Sequence, residues 1–163
     1  MAISYLKKAA KSSATGEDDT RATVAQMLSA IESGGEQRCI EYAAQLDGYH
    51  GNIIATSDDI AQATSRLSQQ VKDDIRFAHE RVNKFAQKQR QALIDFEVEL
   101  SPGLWAGQRQ IPVQTAGCYI PGGRYSHVAS AIMSVATAKA AGVKHVVACS
   151  PPKPGAGIND AIL

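Results

Sequence analysis

The sequence predicts an α/β protein: a helical N-terminal region followed by the start of a parallel βαβ domain that is incomplete at its C-terminus. Three observations carry this. Apolar residues recur at helical spacing through most of residues 1–92. The period then drops to two, with Ile94, Phe96, Val98 and Leu100 alternating with Asp95, Glu97 and Glu99. Finally, a short apolar run, a Pro-Gly-Gly break, an Ala/Ser-rich helix and a β-branched run follow one another in about 35 residues, the order of a right-handed βαβ unit. The division expected is 1–92 for the helical region and 93–163 for the α/β part.

The helical elements are delimited by their ends. "GEDDTRATVAQMLSAIESGG" places Glu17, Asp18 and Asp19 where a helix N-terminus favours negative charge. Val24, Leu28 and Ile31 share one face, and Gly34-Gly35 supplies a stop. A second helix is expected over "EQRCIEYAAQLDGYHG", with Cys39, Ile40, Ala43 and Leu46 as its stripe and Asp47-Gly48 as its end. Thr56 stands three residues before Asp59, a capping-box spacing that opens a helix through "TSDDIAQATSRLSQQ". A longer helix runs from Val71 to about Gln91, with Ile75, Ala78, Val82, Phe85 and Ala86 on its apolar side.

The alternating segment reads as a half-exposed strand stopped by Pro102-Gly103. Glu97 and Glu99 fall on its polar face, where a solvated pair explains them better than a catalytic one. "GQRQIPVQTAG" is expected to form a second strand, Pro112 marking an edge or irregular end. Trp105 is placed in the loop "GLWAG" as an anchor or an interface residue. "AGCYI", "SHVASAIMSVATAKAAG" and "VKHVVACS" are the strand, helix and strand of the βαβ unit, closed by "PPKPGAG". A further amphipathic helix is expected to begin in "GINDAIL", and the chain reads as the amino-terminal piece of a longer protein.

Bulk properties exclude several classes. Seventeen basic and sixteen acidic residues in 163 leave a net charge of +1, so no charge excess points to nucleic acid or a membrane surface. No apolar run reaches the length of a spanning helix, and the first residues lack the pattern of a secretory signal, so a cytoplasmic location is expected. Cys39, Cys118 and Cys149 are widely spaced, which fits three reduced and mostly buried thiols rather than a disulfide framework or a structural zinc site. His79 and His145 read as packing or solvated side chains, having no partner at ligand spacing.

The stretch "TAGCYIPGGRYSH" carries the chemistry. Pro121-Gly122-Gly123 falls at the carboxyl end of a parallel strand and before a helix, where ligands of open α/β sheets gather. Glycines permit positive φ and close backbone approach, while a helix N-terminus suits an anion. Arg124 adds charge, and Tyr119 offers a flat ring with a polar tip. The spacing is neither G-x-G-x-x-G nor a Walker loop, so a plain connecting turn stands beside an anion site.

From Thr115 to Pro152 the wording "GCYIPGGRYSHVASAIMSVATAKAAGVKHVVACSPP" resembles the histidinol dehydrogenase family, whose members carry G-x-Y-[VI]-P-G-G before such a helix and strand. "QQVKDDIRFAH", "DFEVELSPG" and "HVVACSPPKPG" are most like its sulfopropanediol 3-dehydrogenase branch. The resemblance implies that residues 93–163 begin a Rossmann-like NAD-binding domain. It further implies a zinc-dependent homodimer that oxidises a primary alcohol to a carboxylate with two NAD+ in turn. On this basis Tyr119 contacts NAD, and Pro121, Gly122 and Gly123 form the neighbouring cofactor loop. Zinc ligands and acid–base residues are expected beyond Leu163, so no metal or catalytic residue is assigned to this chain. After P-G-G-R this sequence has Tyr125, Ser126 and His127; His127, with Ser130, either selects an anionic sulfonate, as in 2,3-dihydroxypropane-1-sulfonate, or merely flanks the helix. The alternatives are histidinol as substrate and a non-catalytic α/β module that binds an anion or a partner.

Overall fold

The computed structural model describes residues 15–122, 125–153 and 157–163. Four helices and two small sheets follow in the order α1 (Thr15–Asp47), α2 (Ser57–Arg66), α3 (Gln69–Ala92), β1 (Phe96–Ser101), β2 (Leu104–Gln108), β3 (Thr115–Tyr119), α4 (Val128–Ala140) and β4 (His145–Cys149).

The two helices expected before residue 50 are joined end to end as α1, with a break at Gly35, whose φ of 60° and ψ of −147° lie outside the helical region. Only glycine takes that conformation without strain. Gly48, at φ 62°, ends the helix while its N–H and that of Tyr49 donate back to Ala44 and Ala43. None of the other helices or strands packs closely on α1, so Val24 and Leu28 of its apolar stripe stay exposed.

Helix α2 opens with the anticipated capping box. The Asp59 N–H donates to Thr56 Oγ1 at 3.2 Å, and the Thr56 N–H donates to Asp59 Oδ2 at 2.8 Å. The Thr56 hydroxyl, which also donates to Asp59 Oδ2 at 2.7 Å, and then its backbone N–H hold the Asp59 carboxyl below the usual carboxylate range. Arg66 does the same to Asp160 through its hydrogen bonds. Both pKa values are depressed in the folded state, so their contribution is present above about pH 3.8 and is lost as pH falls through the folded values. Acid titration of wild type against Asp59→Asn should therefore give curves that converge below pH 3.8 and separate above it; parallel curves would refute this.

The helix drawn through Gln70 stops instead at Arg66, and Ser68 caps a new one by accepting the Val71 N–H at 3.3 Å. Helix α3 packs on α4, and the buried residues there, Ala86 and Ala136, are small enough for close approach.

Between the helices and the βαβ unit lies an antiparallel hairpin, β1 with β2, in which Glu97 pairs with Gly107 and Glu99 with Trp105. This corrects two expectations. The second strand is Leu104–Gln108, not the segment around Pro112, and Trp105 sits within it rather than in a loop. Proximity to Pro102-Gly103 concealed the strand: Gly103, at φ 82°, turns the chain so tightly that Leu104 already pairs with Ser101. The Glu99 carboxylate accepts the Gly103 N–H at 2.8 Å and so closes the turn. Neither hairpin face is covered; Phe96, Val98, Leu100 and Trp105 all remain exposed, where one buried face was expected.

The βαβ unit forms as the sequence predicts. Strands β3 and β4 are parallel, in register from Thr115–His145 to Tyr119–Cys149, and α4 crosses between them. Gly142, at φ 92°, ends α4 in a Schellman arrangement: its N–H donates to Lys139 O and that of Val143 to Ala138 O. Cys118 and Ile120 are buried on one side of the sheet, where Ala116 and Val146 are half-buried and Ala148 is exposed; the other side, with Thr115, Gly117, Tyr119, His145, Val147 and Cys149, is exposed. Ile120, 1% exposed, is the largest fully buried side chain among the described residues. In "GINDAIL" a turn replaces the expected helix: Asn159 Oδ1 accepts the Ala161 N–H at 3.0 Å, and its carbonyl accepts from Ile162 and Leu163.

Candidate functional site

The residues singled out in the sequence cluster at one end of the βαβ unit. Tyr119, 66% exposed, closes β3 opposite Cys149, which is exposed too; of the three thiols expected to be mostly buried only Cys118 is, Cys39 being half-buried. Ile120 then turns inward, and its N–H donates to Cys149 O at 2.8 Å, carrying the strand pairing one step further. Pro121 and Gly122 follow, both half-buried. Gly123 and Arg124 lie outside the described residues.

Gly122 owes its identity to a contact not visible in the sequence. It does not have positive φ. A Cβ there would stand 2.6 Å from Pro151 Cγ and 3.1 Å from Pro151 O. The space a side chain would fill is thus taken by the segment after β4, which locks the two strand ends together.

His127 occupies the N-cap of α4 with φ −94° and ψ 65°, and its side chain makes no cap hydrogen bond. Its carbonyl instead accepts the N–H groups of Ser130 and Ala131, and the imidazole is exposed. Ser130 lies in the first turn, half-buried, and its carbonyl accepts the Ser134 hydroxyl at 2.7 Å. Strand end, loop and helix start therefore bring Tyr119, Gly122, His127 and Ser130 to the edge of the sheet where α/β proteins bind ligands. His145 begins β4 at the opposite end, paired with Thr115, and stands apart from this edge.

Among the described residues no group of three His, Cys, Asp or Glu side chains is arranged to hold a metal ion. No described helix is long and apolar enough to cross a membrane.

One feature escaped sequence reasoning altogether. A groove of about 540 Å³ runs between α3 and α4, with Lys72, His79 and Lys139 beside Ile75, Ile132 and Val135, and with Asp160–Leu163 along one side. These residues are far apart in sequence, and only the packing of α3 on α4 brings them together.

The segment that leaves the parallel strand β3 through Pro121-Gly122 toward the crossover helix α4, with an exposed tyrosine before it, lies where α/β proteins commonly bind small ligands. Comparison with known proteins narrows this. The family model for histidinol dehydrogenase matches residues 10–163. Sulfopropanediol 3-dehydrogenase of Ruegeria pomeroyi is 51% identical over 163 residues, covering 100% of this chain and 38% of that protein. A histidinol dehydrogenase homolog of Pelagibacter ubique is 53% identical over 164 residues, with the same coverage. Histidinol dehydrogenase of Methanosarcina barkeri is 31% identical over 150 residues, covering 91% of this chain and 34% of that protein. In structure, the crystallised histidinol dehydrogenase of Elizabethkingia anophelis superposes with a TM-score of 0.77 at 24% identity, over 97% of this chain and 34% of that one, a likeness of fold. The chain belongs to the histidinol dehydrogenase family, a family of dehydrogenases. It spans little more than a third of the length of these relatives.

Proposed function

We propose that this chain is part of an NAD-dependent, zinc-requiring dehydrogenase that oxidises a primary alcohol to a carboxylate in two NAD+ steps, with 2,3-dihydroxypropane-1-sulfonate as substrate and 3-sulfolactate as product. The single observation carrying the substrate is the higher identity, over the whole chain, to a sulfopropanediol dehydrogenase than to the histidinol dehydrogenase of Methanosarcina barkeri. The complete enzyme works as a cytoplasmic homodimer on this reading.

NAD+, when bound, supplies the hydride acceptor. The residues of this chain bind and orient it. Tyr119 lays an exposed ring at the strand end, a surface on which a flat ring of the dinucleotide would pack. Pro121 and Gly122 set the course of the loop beside it, Gly122 by fitting under Pro151; Gly123, the third residue of the expected cofactor loop, lies outside the described residues. Zinc is assigned no residue of this chain.

His127 supports the sulfonate reading because its imidazole is exposed and uncommitted at a helix start, one turn before Ser130. A hydrogen-bond donor there attracts a sulfonate, whereas its protonated form repels the ammonium of histidinol. The complete enzyme should reduce NAD+ with the sulfonate diol and not with histidinol, and His127→Ala should raise KM for the diol about tenfold, the loss of one charge-assisted hydrogen bond. Activity on histidinol alone would reverse the substrate assignment, and an unchanged KM would remove His127 from it.

A further inference from the structure

The segment that follows β4 is held at three points. At its start Pro151 fills the space above Gly122, leaving no room for a Cβ. In its middle the Lys153 N–H donates to Gly157 O at 2.7 Å, and Gly157 turns with φ 69°, so the two limbs of this excursion are bridged to each other. At its far end Asp160 meets Arg66 of α2, 94 residues away in sequence, by a two-pronged contact: Nε donates to Oδ2 at 2.9 Å and Nη2 to Oδ1 at 2.6 Å.

A pair of this exposure contributes little to global stability. Its geometry does something else. A guanidinium and a carboxylate joined by two parallel hydrogen bonds fix relative orientation as well as distance. Among the described residues this is the only ion pair that joins separate elements; the other two span three residues within one helix. A continuous path thus runs from Asp160 to Gly157 along the chain, across the bridge to Lys153, and two residues back to Pro151, which rests against Gly122.

We propose that Arg66 and Asp160 are positioning residues for the dinucleotide: their contact, relayed by the Lys153–Gly157 bridge and Pro151, sets where Pro121-Gly122 sits. This rests on the reading of that loop as the cofactor side. The helical region and the βαβ unit are then coupled through the segment after β4, and loss of the pair lets Pro151 and the loop beneath it drift.

Steady-state kinetics on the complete enzyme test this, varying NAD+ and alcohol separately. Arg66→Ala and Asp160→Asn should each raise KM for NAD+ about two- to fivefold, the range a half-exposed pair can supply, with kcat and the alcohol KM nearly unchanged. Arg66→Asp combined with Asp160→Arg, which reverses the pair, should return KM for NAD+ toward wild type. Tyr119→Ala is the control, since it touches the cofactor reading without touching the pair. If Tyr119→Ala raises KM for NAD+ and the two single variants do not, the coupling is wrong and the cofactor loop stands. If Tyr119→Ala leaves that KM unchanged, the cofactor reading fails and the coupling falls with it. Equal losses in kcat and both KM values, unrescued by the reversed pair, would mark a purely structural contact and overturn the proposal.

Discussion

Gly122→Ala in the complete enzyme is expected to raise KM for NAD+ more than tenfold and to lower stability by about 1–3 kcal/mol, the usual cost of forcing a methyl into filled space. The added Cβ would stand 2.6 Å from the ring of Pro151 and 3.1 Å from its carbonyl oxygen. A proline ring cannot swing aside as a long side chain can, so the strand-end loop itself must move. Thermal melts and NAD+ titration read the two effects separately. The double variant Gly122→Ala with Pro151→Ala removes the obstructing ring and should recover part of both losses. A single variant that melts and binds like wild type would refute this account of the glycine.

The second large effect is expected at Ile120. It is the one large side chain almost wholly shielded among the described residues, and it sits between Tyr119 and Pro121, so core and candidate site are adjacent links of one strand. Ile120→Ala should cost about 2–4 kcal/mol from lost burial and the cavity left behind. Ile120→Val should cost about 1 kcal/mol. Denaturant unfolding of the complete enzyme gives both figures. Similar costs for the two variants would mean that backbone pairing to Cys149, not side-chain volume, holds the strand end.

Features written within a few residues of one another could be read before the structure. Thr56 and Asp59 face each other across one helical turn, so their spacing alone specifies the reciprocal cap. Gly142 follows an unbroken helical run and takes the left-handed turn that ends it. The βαβ order was legible because strand, break, helix and strand are contiguous, and the parallel direction of β3 and β4 follows from it, whereas their register does not. The location of Tyr119, Gly122, His127 and Ser130 at a strand's carboxyl end was legible for the same reason.

What was missed is non-local or depends on small angles. Trp105 looked like a loop residue because the adjacent Pro102-Gly103 masked the start of β2, and only the tight turn at Gly103 brings Leu104 opposite Ser101. The reason for a glycine at 122 lies 29 residues on, at Pro151, and no local pattern announces it. Arg66 and Asp160 each look like ordinary solvated charges until the fold sets them face to face. Uncovered faces were equally hidden: the alternation of β1 implies one covered side, yet both sides of the hairpin are exposed. Periodicity reports which face is apolar, not whether anything lies against it.

The break at Gly35 has a mechanical consequence. The helical stretch before it, from Thr15 to Gly34, is about 30 Å long at 1.5 Å per residue and packs closely on none of the other helices or strands. It joins the rest of α1 through one non-helical residue, so its direction relative to residues 36–47 is set there. A change of about 10° in the Gly35 dihedrals swings its tip by roughly 5 Å, more than the spacing between adjacent strands. The aim of that arm, and so whatever surface its Val24 and Leu28 meet, is set by one glycine whose two backbone angles no other residue would tolerate.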